Sequence, residues 1–374
     1  MIKRVYDNIE KYLEPNKALV IYGPRRVGKT TLLKQYLERT PIKYKLDFGD
    51  NIRTQKILSS QDFRKIFSYV EGNKLLVLDE AQYIPNIGMG LKIIVDQIPG
   101  IRVLATGSSS FELSGQICEP LTGRKNTLIL LPISLKELLA ENNRFEIDQM
   151  IEDFLIYGLY PEVVTAKTKE KKIKIVEEIV NSYLFKDILA LEKIKSSQII
   201  LDLVKLLSFQ IGNLVSLNEL ANRLLIDVKT VARYLDLLEK SFVIVSLSGL
   251  RRKLRREIGQ KKKYYFLDNG IRNGVISQFN QIEDRNDLGQ LWENFIFSER
   301  LKKRSYSNSY ANTYFWRMHS GAEIDLIEEK DGQLSGYEFG WQKEKLTNLD
   351  LFLENYADSS VKIINKENYL DFIV

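Results

Sequence analysis

The stretch GPRRVGKTT, residues 23–31, decides the fold. It matches the pattern G-x-x-x-x-G-K-[ST]. The strand-like ALVIY, residues 18–22, precedes it, and the helix-forming TTLLKQYLE follows. Gly23 and Gly28 let the backbone fold tightly, so that successive N–H groups point inward at phosphate oxygens. The residues between them, Pro24, Arg25, Arg26 and Val27, are expected to wrap the phosphates, with Thr31 just inside the helix. The helix start adds the positive end of its dipole. Lys29 brings a point charge to the β and γ phosphates, and the Thr30 hydroxyl a ligand for Mg²⁺. The implied ligands are ATP and Mg²⁺.

Working outward, residues 1–140 alternate short apolar runs with helix-period segments. The runs cover 18–23, 43–48, 75–79, 103–107 and 127–131. That alternation predicts a parallel sheet covered by helices. The run LLVLDE, residues 75–80, ends in two carboxylates. Asp79 is expected to hold the magnesium and Glu80 to polarise the attacking water. A neighbouring pair of acids separates this chain from nucleotide binders that lack a hydrolytic base. The next strand ends in ATGSSS, residues 105–110, where a hydroxyl can orient water or read the γ-phosphate; Ser108 is the candidate. Arg124, in LTGR, is a candidate for stabilising transition-state charge, in its own chain or on a neighbour.

Composition narrows the chemistry. The chain has 374 residues, 44% hydrophobic and 28% charged, enough for two or three ordinary domains. A single cysteine, Cys118, excludes an internal disulfide framework, and a single histidine, His319, excludes a His pair for metal. General-base work therefore falls to carboxylates. The net charge of +6 permits nucleic-acid binding without demanding it. The N-terminal MIKRVYDNIE lacks the apolar core of a signal peptide, and no stretch reaches the roughly 20 apolar residues of a membrane span. A cytoplasmic protein with no membrane partner is expected.

As a set, GPRRVGKTTLL, LLVLDEAQ, ATGSSS, LTGR with LPISLKEL, GLYPEVV, YYFLDNGIRN, GQLWENFIFSERL and YFWRMHSGAEIDLI resemble the prokaryotic AAA+-type ATPases that carry a C-terminal DUF4143 domain. The resemblance covers nearly the whole chain, in order. It implies an additional strand between the loop strand and the Asp79-Glu80 strand. The family usually shows Gly-Gly-x-Pro-Glu where this chain has Gly158-Leu159-Tyr160-Pro161-Glu162. In related signalling ATPases a Gly-x-Pro turn sits by the nucleotide base, so the resemblance makes Pro161 a nucleotide-contact candidate. A turn that simply ends a helix is the plainer reading.

In the middle, Ser216-Leu217-Asn218-Glu219 fits a capping box opening one helix. A second helix follows with Val231, Leu235 and Leu238 on one face, then the apolar FVIVSL. That order predicts a winged helix-turn-helix. Lys229, Thr230 and Arg233 fall near the start of its second helix, where base edges are read. The basic stretch 251–263, containing Arg251, Arg252 and Lys253, can neutralise phosphates or form a solvated wing. DNA is thus a candidate partner, with protein docking as the other use of such a module.

Near the C-terminus, Glu293 lies in a helical pattern, Asp325 in the strand-like EIDLI and Glu338 in GYEF. Their spacing resembles the restriction-endonuclease-like fold, where such acids and a Glu-x-Lys lysine bind metal and activate water. Here Gly340 replaces that lysine, which points to weak or absent cleavage.

Together these readings predict an α/β protein. A P-loop ATPase core with a parallel sheet, AAA+-like, spans 1–140. A helical subdomain spans 141–212, and a winged helix with its basic segment spans 213–263. An α/β restriction-endonuclease-like, DUF4143-type domain spans 264–374. The expected function is an ATP-hydrolysing switch acting on or near nucleic acid, able to self-associate through its ATPase domain. The alternatives are an ATP-holding scaffold or DNA-binding regulator without turnover, and an ATP-gated nuclease.

Overall fold

The computed structural model describes residues 2–107, 120–191, 197–250, 261–318, 322–343, 345, 350–356 and 358–374. Four expected site residues, Ser108, Arg251, Arg252 and Lys253, lie outside the described residues. The chain divides into two compact units, Met1–Pro132 with Lys240–Phe242, and Ile133–Glu239 with Val243–Val374.

In the first unit, β1 (Ala18–Tyr22), β2 (Tyr44–Phe48), β3 (Leu75–Asp79), β4 (Arg102–Gly107) and β5 (Lys125–Ile129) form one sheet in the order β2-β3-β4-β1-β5. Every pairing is parallel. The expected extra strand between the loop strand and the Asp79-Glu80 strand is β4. The central strands are apolar on both faces and buried, as a sheet covered twice requires. Helices α1 (Lys29–Arg39), α2 (Ile52–Leu58), α3 (Phe63–Val70) and α4 (Ile87–Gln97) complete the described layers. Ile66 and Val70 of α3 and Leu91 and Ile94 of α4 close one core with Leu76, Leu78, Val103 and Ala105. At about 1.5–3 kcal/mol for each fully buried Leu, Ile or Val side chain, this packing sets the sheet's shape. β5 starts two residues before the apolar run read from sequence. Its ladder begins at Lys125 opposite Ala18, while Leu130 continues only as one bond, its N–H donating to the Tyr22 carbonyl at 2.8 Å.

The second unit opens with α5 (Leu135–Leu138), α6 (Arg144–Tyr157), α7 (Pro161–Thr165), α8 (Lys169–Leu191) and α9 (Ser197–Ser208). Then come α10 (Leu217–Leu224), α11 (Val228–Lys240), β6 (Ile244–Gly249), β7 (Lys263–Phe266) and α12 (Asn269–Val275). The expected core face of α11 is buried at Val231, Leu235 and Leu238, joined by Tyr234 and Leu237. The Ser216 capping box is half formed: the serine accepts from the Glu219 N–H at 3.4 Å, but the Glu219 carboxylate pairs with Arg223 instead.

The remaining elements are α13 (Leu288–Ser307), β8 (Asn312–Arg317), β9 (Glu323–Lys330), β10 (Gln333–Phe339), α14 (Asp350–Asn355), β11 (Ser360–Ile364) and α15 (Tyr369–Ile373). β8, β9 and β10 are an antiparallel meander, and β11 pairs parallel to β10. The β6–β7 hairpin joins this sheet, because β6 runs parallel to β8 at Ser248 and Gly249. The full order is β11-β10-β9-β8-β6-β7, so one mixed sheet crosses the boundary expected at 263/264.

Two motifs of the second unit lock together. Every residue of α12 is buried. The Asp268 carboxylate caps it through the Gly270 and Ile271 N–H groups, and its other oxygen accepts from the Leu159 N–H at 2.7 Å. Gly158 has φ +80°, and a Cβ there would lie 2.0 Å from that carboxylate. The amides of Asn269 and Asn273 donate to the Leu155 carbonyl, and Asn273 also to that of Ile156, satisfying the end of α6. Burial raises the Asp268 pKa above the ordinary carboxylate value against the pull of Lys302 and its backbone donors.

Candidate active site

The carboxyl ends of β1, β3 and β4 meet at residues 22, 79 and 107, where ligands bind in parallel α/β sheets. Glycine is required at 23, because a Cβ would sit 2.0 Å from the Leu130 carbonyl oxygen. Gly28 follows with φ +95°, and helix α1 begins at the next residue. Arg26, exposed, takes φ +58°. Pro24 and Val27 are buried in the loop wall, while Thr31 is exposed. The Lys29 side chain is buried, its Nζ donating to the carbonyls of Gly23 at 3.0 Å and Pro24 at 2.7 Å. Arg25 donates to the Tyr83 hydroxyl at 2.7 Å.

Asp79 is the hub of the site. Its Oδ2 accepts from the Thr30 hydroxyl at 2.8 Å, and its Oδ1 from the Thr106 hydroxyl in a short bond. The Glu80 N–H donates to Asp79 Oδ1 at 3.2 Å and to Thr106 Oγ1 at 3.1 Å. These bonds hold Glu80 in a left-handed turn, φ +54°, unusual for a residue with a side chain. The turn is braced by the residue after β2, where the Gly49 N–H donates to the Asp79 carbonyl at 2.8 Å and a Cβ on Gly49 would strike the Glu80 carbonyl. Gln82 donates to the Glu80 carboxylate at 2.5 Å. Thr30 and Asp79 thus present adjacent hard oxygens, which suit Mg²⁺.

Sequence reasoning missed two members of this site. Thr106 lies in the quoted ATGSSS, yet the expected hydroxyl was Ser108. Ser108 lies outside the described residues; for Thr106, β4 sets Leu78 beside Ala105, which brings Thr106 to Asp79. Thr106→Val keeps the shape and removes the bond. ATP turnover is expected to fall about tenfold, checked by phosphate release at saturating ATP. Arg4 was also missed. It is buried against the loop, donating to the Val27 carbonyl in a short bond and to the Leu131 carbonyl at 2.7 Å.

The remaining expected residues fall elsewhere. Arg124 lies at the amino end of β5, where its carbonyl accepts from the Ala18 N–H, and its guanidinium pairs with Asp96 near the end of α4. That is the edge of the sheet opposite the phosphate loop, so within its own chain Arg124 does not face the phosphates. Pro161 is the first residue of α7, in the second unit. Lys229 and Arg233 are exposed on α11. Asp227 accepts from the Thr230 N–H at 2.8 Å and from the Thr230 hydroxyl at 2.6 Å at the start of α11. Glu293 and Asp325 come together in the second unit, around Lys263. Glu338 is paired with Lys343.

Comparison with known proteins agrees with this geometry. An AAA domain matches residues 15–139, and two domains of unknown function follow, DUF8612 over 148–293 and DUF4143 over 288–370. An uncharacterized protein of Methanocaldococcus jannaschii is 24% identical across 99% of this chain and 90% of its own length. An uncharacterized protein of Haemophilus influenzae is 26% identical across 94% of this chain and 89% of its own. Among solved structures, a Walker-type ATPase of Pyrococcus abyssi is similar at TM-score 0.48 and 16% identity, over 74% of this chain and 96% of that one. The chain thus carries an AAA domain at residues 15–139 and a DUF4143 domain at residues 288–370.

Proposed function

We propose that the first unit binds ATP and hydrolyses it, and that the cycle switches what the second unit does on or near nucleic acid. The observation that carries the reading is the Thr30–Asp79–Thr106 network with Glu80 held in a turn beside it. Thr30 and Asp79 would hold Mg²⁺, which when bound neutralises phosphate charge. Lys29 exchanges its loop carbonyls for β and γ phosphate oxygens. The loop N–H groups from Arg25 to Thr31 orient the phosphates. Glu80 accepts a proton from the attacking water, with Gln82 fixing its carboxylate. A scaffold that holds ATP without turnover is the weaker reading, because it leaves the strained Glu80 turn without a use.

Arg124 fits a role on a second copy of the chain, since it lies on the edge of the sheet away from its own loop. Nucleic acid is supported by Lys229 and Arg233, one helical turn apart on the exposed side of α11. Among the described residues, no helix is long and apolar enough to cross a membrane. ATP turnover with and without double-stranded DNA tests both halves. Phosphate release that DNA changes several-fold is expected. Turnover indifferent to DNA at low salt removes the nucleic-acid half, and no turnover at all removes the enzyme.

A further inference from the structure

The acids of the second unit do not surround room for a metal; they surround an ammonium. Lys263, at the start of β7, is fully buried. Its Nζ lies 2.5 Å from Glu323, 3.3 Å from Glu293 and 3.4 Å from Asp325. A lysine ammonium has three N–H donors, and here three carboxylates from α13 and β9 meet them. The acid oxygens have further partners in the protein. Tyr265 donates to Glu293 at 2.7 Å, and the Phe339 N–H to Asp325 Oδ2 at 2.9 Å.

Charge is balanced in the same way. Beside Glu293, Glu323, Asp325 and Glu338 stand Lys263, Lys343 and Arg317, the last 3.4 Å from Glu323. Burial, then the charge of Asp325, pushes the Glu293 carboxyl up to about 7 against the pull of Lys263. Burial works against the ammonium of Lys263, but Glu293, Asp325 and Glu323 outweigh it and raise its pKa above the usual lysine value. Gly340 has its own explanation. A Cβ there would lie 2.5 Å from the Lys343 Cβ, so the glycine leaves room for Lys343 to fold back onto Glu338. Among the described residues, no group of three or more acidic, histidine or cysteine side chains is arranged to hold a metal.

We propose that Lys263 occupies the place of the divalent cation in this nuclease-like sheet, making the cluster a self-neutralised ion-pair centre that binds no metal and fixes β7 to α13 and β9. The lysine was read from sequence as the end of a basic stretch that neutralises phosphates or forms a solvated wing; the fold instead turns it inward.

The test uses Mn²⁺ as probe, counted by electron paramagnetic resonance on the full chain without nucleotide. All proteins carry Asp79→Asn, so that the first unit does not enter the count. The chain with Lys263 intact is expected to bind no Mn²⁺ that Asp325→Asn removes. Lys263→Met is expected to gain one Mn²⁺ per chain, lost again on adding Asp325→Asn. Asp325-dependent Mn²⁺ binding with Lys263 intact overturns the proposal, as does a folded Lys263→Met chain that gains none. If Lys263→Met does not fold, the comparison with Lys263 intact still decides. None of these outcomes depends on whether the first unit hydrolyses ATP.

Discussion

Lys29→Ala is expected to weaken ATP binding about 100-fold, with the fold intact. Lys29 begins α1 on the left-handed Gly28, and the loop holds its ammonium by two carbonyls within 3.0 Å. It is therefore already placed where phosphate oxygens arrive. Charge-assisted hydrogen bonds are worth roughly 1.5–3 kcal/mol each, and about 2.7 kcal/mol corresponds to a 100-fold change in affinity. Alanine favours the helix, so α1 should survive. Calorimetric titration with ATP and Mg²⁺ measures the effect, and thermal unfolding without nucleotide checks the fold. Equal affinity in the two proteins would mean that the loop does not hold the phosphates.

The second large effect is on stability. Asp268→Ala strands three buried backbone N–H groups, those of Leu159, Gly270 and Ile271. A lost helix cap costs about 1 kcal/mol, and each buried donor left without a partner about 1–3 kcal/mol. A loss of about 4 kcal/mol is expected in urea unfolding of the second unit. Asp268→Asn should cost roughly half as much, since its oxygen can keep the cap while its amide faces the Leu159 N–H. The pH dependence has a definite sign. The folded pKa of Asp268 is raised by burial, so its contribution is fully present below the unfolded pKa and is lost as pH rises through the folded value. Asp268→Asn should flatten that slope. An alanine variant as stable as the parent would show that the Gly158 turn and α12 are not locked through this carboxylate.

What could be read from sequence was what is local along the chain. The loop at 23–31 carries its own strand, glycines, lysine and helix within a few residues, so motif and fold arrive together. The Asp79-Glu80 pair was legible because a buried strand ending in two acids is conspicuous. Long-range register was not. Thr106 reaches Asp79 through the pairing of β3 with β4, which no spacing rule encodes. A lysine was sought two residues after Glu338, where Gly340 stands; the lysine that meets the acids, Lys263, comes from another strand, 30 residues before Glu293 and 62 before Asp325. Arg124 was read as facing phosphates in its own chain or on a neighbour, and strand direction sets it at the amino end of β5, away from its own loop. The boundary read at 263/264 cuts through the β6–β7 hairpin, because the pairing of β6 with β8 joins residues far apart in sequence.

The central claim is that the geometry around Glu80 turns over ATP rather than merely holding it. Phosphate release with ATP and Mg²⁺, compared between the parent chain and Glu80→Gln, tests it most directly. The carboxylate is the proton acceptor in this account, and glutamine keeps its shape without its basicity. Turnover should fall at least about 100-fold in Glu80→Gln, while ATP still binds. Equal phosphate release from the two proteins would contradict the account.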